Sequence, residues 1–191
     1  MAIGQQAISL EMKNIVYFDL ETQRSAAEVG GWNYADRMGL SVGVTYSTAS
    51  GSYSIYDEAH VMDLIHELQR ADLVVGYNHC DFDYSVLMGY YPMDLKSMVP
   101  SLDILQEIKG YIPHRLGMDA LATTTLGVGK TAEGLQALQW YKEGRMLEIA
   151  EYCCYDVKIT RLLHEYGAKH GRLYYKERNG KIMAVPAKWK L

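Results

Sequence analysis

One stretch constrains this chain more than any other: Ile15 to Thr22, IVYFDLET. Ile15, Val16, Tyr17 and Phe18 are β-branched or aromatic, and a short apolar run of that kind reads as a buried strand. Two carboxylates follow with one residue between them, Asp19 and Glu21. Alternate side chains of a strand share a face, so both acids aim the same way. Like charges held that close repel, and each raises the other's pKa. A divalent cation relieves the repulsion, and oxygen-only ligands with waters to spare suit Mg²⁺ or Mn²⁺. The plainer alternative is an Asp-Leu-Glu that ends a strand and caps the next helix.

The chain has 191 residues, enough for one domain with a sizeable core. A hydrophobic share of 49% and a charged share of 22% place it with soluble globular proteins. The net charge of −4 argues against a generally basic nucleic-acid-binding coat and leaves room for a local basic patch. Cys80, Cys153 and Cys154 form no C-x-x-C pair and no zinc spacing, and a sparse, odd count points to a reducing compartment. Nothing near Met1 reads as a signal peptide, and no apolar run is long enough to span a bilayer. The expected location is the cytoplasm, with no membrane partner.

Taken in order, Met1 to Asn14 is a lead-in to the first strand, and Gln23 to Met38 a loop with one helical turn over the carboxylate pair. Leu40 to Tyr46 and Gly51 to Tyr56 read as strands joined by a hairpin turn. Asp57 is a candidate N-cap for a helix through Gln69, with Val61, Leu64, Ile65 and Leu68 on one face. Asp72 to Tyr77 is a fourth strand, Phe82 to Tyr91 a helix stopped by Pro92, and Ser101 to Ile104 a fifth strand. Helices follow over Met118 to Leu126, Glu133 to Lys142 and Leu147 to His170. Leu173 to Val185 carries Asn179-Gly180, a strong hairpin signal. This order predicts an α/β fold: a mixed central sheet of about five strands, the second antiparallel, with helices on both faces and a C-terminal β-hairpin. Residues 1–171 form the main body, and residues 172–191 a hairpin and tail of the same domain.

Gly129-Lys130-Thr131 looks like the end of a phosphate-binding loop, but Thr124 stands where that motif needs glycine. Cys153 and Cys154 read as core packing, and His79 as a non-ligand. Two further acidic stretches carry more weight. In GYNHCDFDYSVL, Gly76 to Leu87, a strand delivers Asn78, Asp81, Phe82 and Asp83 at its carboxyl end, where ligand sites of open α/β sheets lie. In EYCCYDVKIT, Glu151 to Thr160, Tyr152 and Asp156 share one helix face. Each stretch alone is also explained by helix capping or an amphipathic helix.

Together, FDLET, YN-x-x-x-FD and Y-x-x-x-D resemble, in order and spacing, the three motifs of the DEDDy exonucleases. That family lies within the ribonuclease H-like superfamily and includes RNase D and the proofreading domains of family B DNA polymerases. The resemblance covers Ile15 to Leu163 and includes Gly117 to Thr131, which looks like the helix and turn before the third motif of the polymerase domains. Glu151 stands where the histidine variant would carry its His, and Tyr152 stands where the tyrosine variant needs it. The family B spacing selects Asp83 over Asp81, because Phe82-Asp83 keeps the Phe-Asp pair.

The resemblance implies a ribonuclease H-like fold and a metal-dependent 3′–5′ exonuclease that releases nucleoside monophosphates from a single strand of DNA or RNA with a free 3′ end. It implies two ions, Mg²⁺ or Mn²⁺: Asp19, Glu21 and Asp156 around the one that carries the nucleophilic water, and Asp19 bridging to the second with Asp83 assisting. Tyr152 would orient the attacking water, since a phenol of pKa about 10 is a poor base at neutral pH. Thr22, Gln23, Asn78 and Phe82 would meet the terminal nucleotide, and a helicase or polymerase is the implied kind of partner. The C-terminal Arg172, Lys176, Arg178, Lys181, Lys188 and Lys190, interleaved with Tyr174, Tyr175 and Trp189, suit either a single strand or a solvated hairpin with its aromatics packed inward. A catalytically weak nucleic-acid-binding module and a different metal phosphoesterase are the alternatives. The presence of all four acids and the tyrosine favours the exonuclease.

Overall fold

The computed structural model describes residues 13–112, 114–129 and 134–191. In chain order these form β1 (Ile15–Thr22), α1 (Ala26–Val29), 3₁₀ turns over Trp32–Arg37, β2 (Leu40–Ser47), β3 (Ser52–Tyr56) and a 3₁₀ turn (Glu58–His60). Then come α2 (Val61–Arg70), β4 (Leu73–Gly76), α3 (Asp83–Leu87), α4 (Leu95–Met98), β5 (Ser101–Asp103), α5 (Ile104–Lys109) and α6 (Met118–Leu126). The chain ends with α7 (Gly134–Lys142), α8 (Met146–His170), β6 (Arg172–Lys176) and β7 (Ile182–Pro186). Most of the lead-in, together with Lys130, Thr131 and Glu133, lies outside the described residues.

Strand order is β3-β2-β1-β4-β5, which puts β1 in the centre as its apolar run demands. β2 runs antiparallel to β1 with Asp19 opposite Val44, β3 is antiparallel to β2, and β4 and β5 are parallel additions on the other side. The sheet is therefore mixed, with an antiparallel second strand. The period of two sorts β1 between two cores. Val16, Phe18 and Leu20 join α2 and α3 on one face, where Val61, Leu64, Ile65 and Leu68 of α2 are buried. Ile15 and Tyr17 join Ile149, Cys153, Val157 and Leu163 of α8 on the other. The same alternation carries Asp19 and Glu21 onto the α8 face.

The structure departs from the sequence reading at several element ends. The helix expected over Phe82 to Tyr91 runs as α3 only to Leu87, and tighter turns, Gly89 N to Val86 O and Tyr90 N to Leu87 O, carry the chain on to Tyr91. α4 and α5 arise from caps: the Asp94 side chain accepts from Lys96 N, and the Asp103 side chain from Leu105 N and Gln106 N. The loop after β1 holds α1 and the 3₁₀ turns in place of a single turn. The C-terminal hairpin forms, but residues 177–181 close it, through Glu177 N to Lys181 O at 2.9 Å, so the turn is longer than Asn-Gly alone. It docks on α6 and α8 through the Thr125 hydroxyl, which donates to Tyr174 O, and through Trp189 Nε1, which donates to His164 O. Tyr175 and Trp189 are buried while the hairpin's lysines and arginines are exposed, so these two aromatics face inward.

Two buried histidines link the fold to pH. His164 Nδ1 shares a 3.0 Å hydrogen bond with the Tyr17 hydroxyl, and burial lowers its pKa to about 4, as it does for His79. The unfolded chain takes up these protons below about pH 6.5, whereas the folded one does so only near pH 4. Their contribution is thus complete above pH 6.5 and lost as pH falls towards 4. Between pH 7 and 5 each should cost about 1–2 kcal/mol of unfolding free energy. Urea unfolding of His164→Gln should show a shallower acid-side loss than the parent. Equal slopes would contradict the assignment.

Candidate metal centre

Three elements converge on one spot because of where each places its side chains. β1 supplies Asp19 and Glu21 from its α8 face. α8 passes above and supplies Tyr152 and Asp156, one turn apart. The start of α3 supplies Asp83, reached through a loop that leaves the carboxyl end of β4. Carboxylate oxygens of Asp19, Glu21 and Asp156 all lie within 4.8 Å of one another. Asp83 is 3% exposed, and its Oδ1 accepts the Leu20 N–H at 3.2 Å. Asp81 lines the same cleft and is exposed there, paired with Lys96 Nζ at 3.0 Å.

The electrostatics are those of acids buried together. Desolvation pushes the Asp19 carboxyl well above its usual range, and the charges of Asp83, Asp156 and Glu21 push it further. Burial likewise raises Asp83 to about 8, against the pull of the Asp83 and Leu20 N–H groups. The Tyr152 phenol, 5% exposed, is raised by desolvation and then by the charges of Asp156, Glu21 and Asp19. Trp140 of α7 meets its ring edge-on at 6.3 Å.

Cys153 belongs to this site, although its sequence context reads as packing. Its buried thiol lies 3.4 Å from both the carbonyl and Oδ2 of Asp19 and donates to them. Burial and the surrounding acids hold that thiol protonated. Its spacing three residues before Asp156, one helix face, was the available signal.

The acids line an open cleft of about 1520 Å³. Of the residues expected to meet a terminal nucleotide, Thr22, Asn78 and Phe82 line it. The Thr22 hydroxyl donates to Arg24 O at 3.1 Å, and Asn78 takes a positive φ of 66°, a conformation asparagine tolerates. Gln23 is outside the lining, its side-chain amide donating to Leu40 O at 2.8 Å. Exposed Arg24, Lys109 and Arg115 are also in the lining, a local cationic rim on an acidic protein.

The structure also brings together His79, Cys80 and Asp103, all buried. Here the charge is already compensated. Asp103 accepts four backbone N–H groups, from Asn78, Cys80, Leu105 and Gln106, and so ties the β4–α3 loop to α5. His79 lies over Gly76 with its Nδ1 3.7 Å from Asp103 Oδ2. This group serves as a brace for the loop that delivers Asp83. The Asp19 group differs: an all-oxygen donor set, part-buried on the cleft wall, whose mutual repulsion a bound cation relieves, fits a hard divalent ion.

The family model RNase_H_2, of the RNase_H superfamily, matches residues 16–168. No curated protein matches the chain. The matched span contains Asp19, Glu21, Asp83, Tyr152 and Asp156 and ends before the hairpin. Among the described residues, no helix is long and apolar enough to cross a membrane.

Repulsion without a cation predicts a trade between stability and binding. In EDTA, Asp19→Asn should be more stable than the parent by about 1–2 kcal/mol, roughly 2–8 °C in Tm. Mn²⁺ should raise the Tm of the parent and leave the variant nearly unmoved. A variant that is weaker in EDTA and still responds to Mn²⁺ would refute this.

Proposed function

The chain belongs to the RNase_H_2 family of the RNase H superfamily, and from that premise we propose that it is a DEDDy-type 3′–5′ exonuclease acting on single-stranded nucleic acid. Membership implies a metal-dependent nuclease. The finer reading rests on one observation: Asp19, Glu21 and Asp156 crowd within 4.8 Å while Tyr152 stands one turn before Asp156 on the same helix. A module that only bound nucleic acid would gain nothing from burying those charges together.

Asp19, Glu21 and Asp156 would hold one ion, and Asp19 with Asp83 a second, each Mg²⁺ or Mn²⁺. When bound, such ions acidify a water and neutralise charge on the attacking and leaving oxygens of a phosphodiester. The protein's own groups do the rest. Tyr152 stays protonated, so it orients the attacking water by a hydrogen bond and does not remove a proton. Trp140 and the helix fix its ring. The Cys153 thiol and the Leu20 N–H hold Asp19 and Asp83 in place before any ion arrives. Thr22, Asn78 and Phe82 receive the terminal nucleotide, and Arg24, Lys109 and Arg115 offset the repulsion between strand and acids. Residues 172–191 complete the same domain in this reading. A helicase or polymerase that supplies the single strand rests on the motif resemblance alone.

The test is release of nucleoside monophosphates from a labelled single strand with Mg²⁺ or Mn²⁺. The 3′ end should shorten stepwise, and a blocked 3′ end should resist. Tyr152→Phe should lower turnover about 10- to 1000-fold, the scale of one transition-state hydrogen bond. Its Mn²⁺ affinity and strand affinity should stay within about twofold of the parent, since only a hydroxyl is lost. Internal cuts, or a Tyr152→Phe variant as fast as the parent, would overturn the assignment.

A further inference from the structure

The loop after β4 carries a second group of donor atoms, none of which lines the acidic cleft. One ligand atom from each of the buried residues His79, Cys80 and Asp103 lies within 4.8 Å of the other two. The hydrogen bonds around Asp103 are uneven. Its Oδ1 accepts three backbone N–H groups, from Asn78, Leu105 and Gln106, at 2.8, 3.0 and 3.3 Å. Among the described residues its Oδ2 accepts only that of Cys80, at 3.1 Å, and a carboxylate oxygen has room for a second bond. Facing that oxygen at 3.7 Å is His79 Nδ1, buried and without a hydrogen-bond partner among the described residues. The gap is too long for a hydrogen bond. Burial lowers the His79 pKa to about 4, so near neutral pH the ring is uncharged and makes no ion pair across it. The ring cannot turn away, because it lies on Gly76, where an added Cβ would stand 2.6 Å from Nδ1, and Tyr84 meets it edge-on at 5.0 Å. The Cys80 thiol lies against the same ring, 3.6 Å from Nε2. A buried polar atom left unpaired calls for a partner.

A neutral imidazole nitrogen, a thiol sulfur and a carboxylate oxygen make a mixed donor set. That set suits zinc, whereas the all-oxygen set at Asp19 suits a hard ion. We propose that His79, Cys80 and Asp103 form a Zn²⁺ site, with His79 Nδ1, Cys80 Sγ and Asp103 Oδ2 as ligands and a water in the fourth position. Ligand atoms around a tetrahedral zinc stand about 3.3–3.8 Å apart, and the 3.7 Å between Nδ1 and Oδ2 already falls in that range. Sγ joins them by rotation about the Cys80 side chain, from Nε2 towards Nδ1. Burial pushes the Cys80 thiol up to about 12, so it stays S–H until the ion takes the sulfur and the proton leaves to solvent. The sequence shows no zinc spacing because two ligands are neighbours on one loop and the third closes β5. The ion would staple the loop that delivers Asp83 to the start of α5. The inference is independent of the exonuclease reading, since it involves neither a nucleic acid nor a hydrolytic step.

The test uses the full chain stripped of metal with EDTA and dialysed. Crystals of the parent soaked in Zn²⁺, measured on both sides of the zinc edge, should show a peak about 2.0–2.4 Å from His79 Nδ1, Cys80 Sγ and Asp103 Oδ2. In solution, Asp19→Asn removes competition from the acidic site. That variant should gain about 5–10 °C in Tm from Zn²⁺ at about a hundredfold excess over Kd, and almost nothing from Mn²⁺. Adding Cys80→Ser should abolish the zinc gain, and adding Cys153→Ser should leave it. Co²⁺ in place of zinc should give the parent a thiolate-to-cobalt absorption band that Cys80→Ser loses and Cys153→Ser keeps. The site is wrong if the crystals show no zinc at the three residues, if Zn²⁺ does not raise the Tm of Asp19→Asn, if the gain survives Cys80→Ser, or if the cobalt band follows Cys153. Should Cys80→Ser fail to fold, the zinc peak in the parent decides alone.

Discussion

Asp19, Glu21 and Asp156 bring carboxylate oxygens within 4.8 Å of one another on the wall of the cleft, with Asp83 beside them, and that crowding shapes the rest of the structure. Removing a carboxylate from water costs roughly several kcal/mol even after relaxation, and like charges add to the cost. The fold tolerates it by placing the acid on the most rigid element available, a strand with neighbours on both sides. β1 must be central, because only there do its alternate residues lie beneath α8. α8 must cross at Tyr152 to Asp156, because those two turn inward together. The β4–α3 loop must be braced by Asp103, because Asp83 has to arrive from a third direction. Before an ion arrives, two weak donors, the Cys153 thiol and the Leu20 N–H, offset part of the repulsion.

What could be read from the sequence is what a single element's period determines. Asp19 and Glu21 share a face because a strand alternates, and Tyr152 and Asp156 because a helix repeats near four. The apolar run before Asp19 places its strand in the middle of a sheet. Asp83 needed the motif spacing as well, since loop geometry turns it inward and leaves Asp81 paired with Lys96 at the rim. Other features depend on tertiary approach and leave no local mark. Asp103 reads as a strand residue until four N–H groups are seen to meet it. Gln23 looks poised beside Thr22, yet Leu40 O takes its amide. Gly89, just after the helix that begins at Asp83, faces a carbonyl contributed by Asp36, more than fifty residues upstream, where a Cβ would not fit.

The surface follows the same division. An overall charge of −4 coexists with exposed Arg24, Lys109 and Arg115 along the cleft that the acids line. Tyr175 and Trp189 of the hairpin region are spent on the core, Trp189 against Gly167 and His164, so neither offers a face for base stacking. The exposed lysines and arginines of the hairpin remain as electrostatic attraction. The acids, the loop that follows β1 and the helix that crosses it all meet at the end of β1, on one cleft.

The most direct measurement of that account is the anomalous scattering of Mn²⁺ in crystals grown or soaked with the ion. Two peaks about 3.5–4 Å apart, one among Asp19, Glu21 and Asp156 and one between Asp19 and Asp83, are the predicted result. Crystals saturated with Mn²⁺ that show no peak among these carboxylates, or show it at His79, Cys80 and Asp103, would contradict the central claim that the buried acids exist to hold metal.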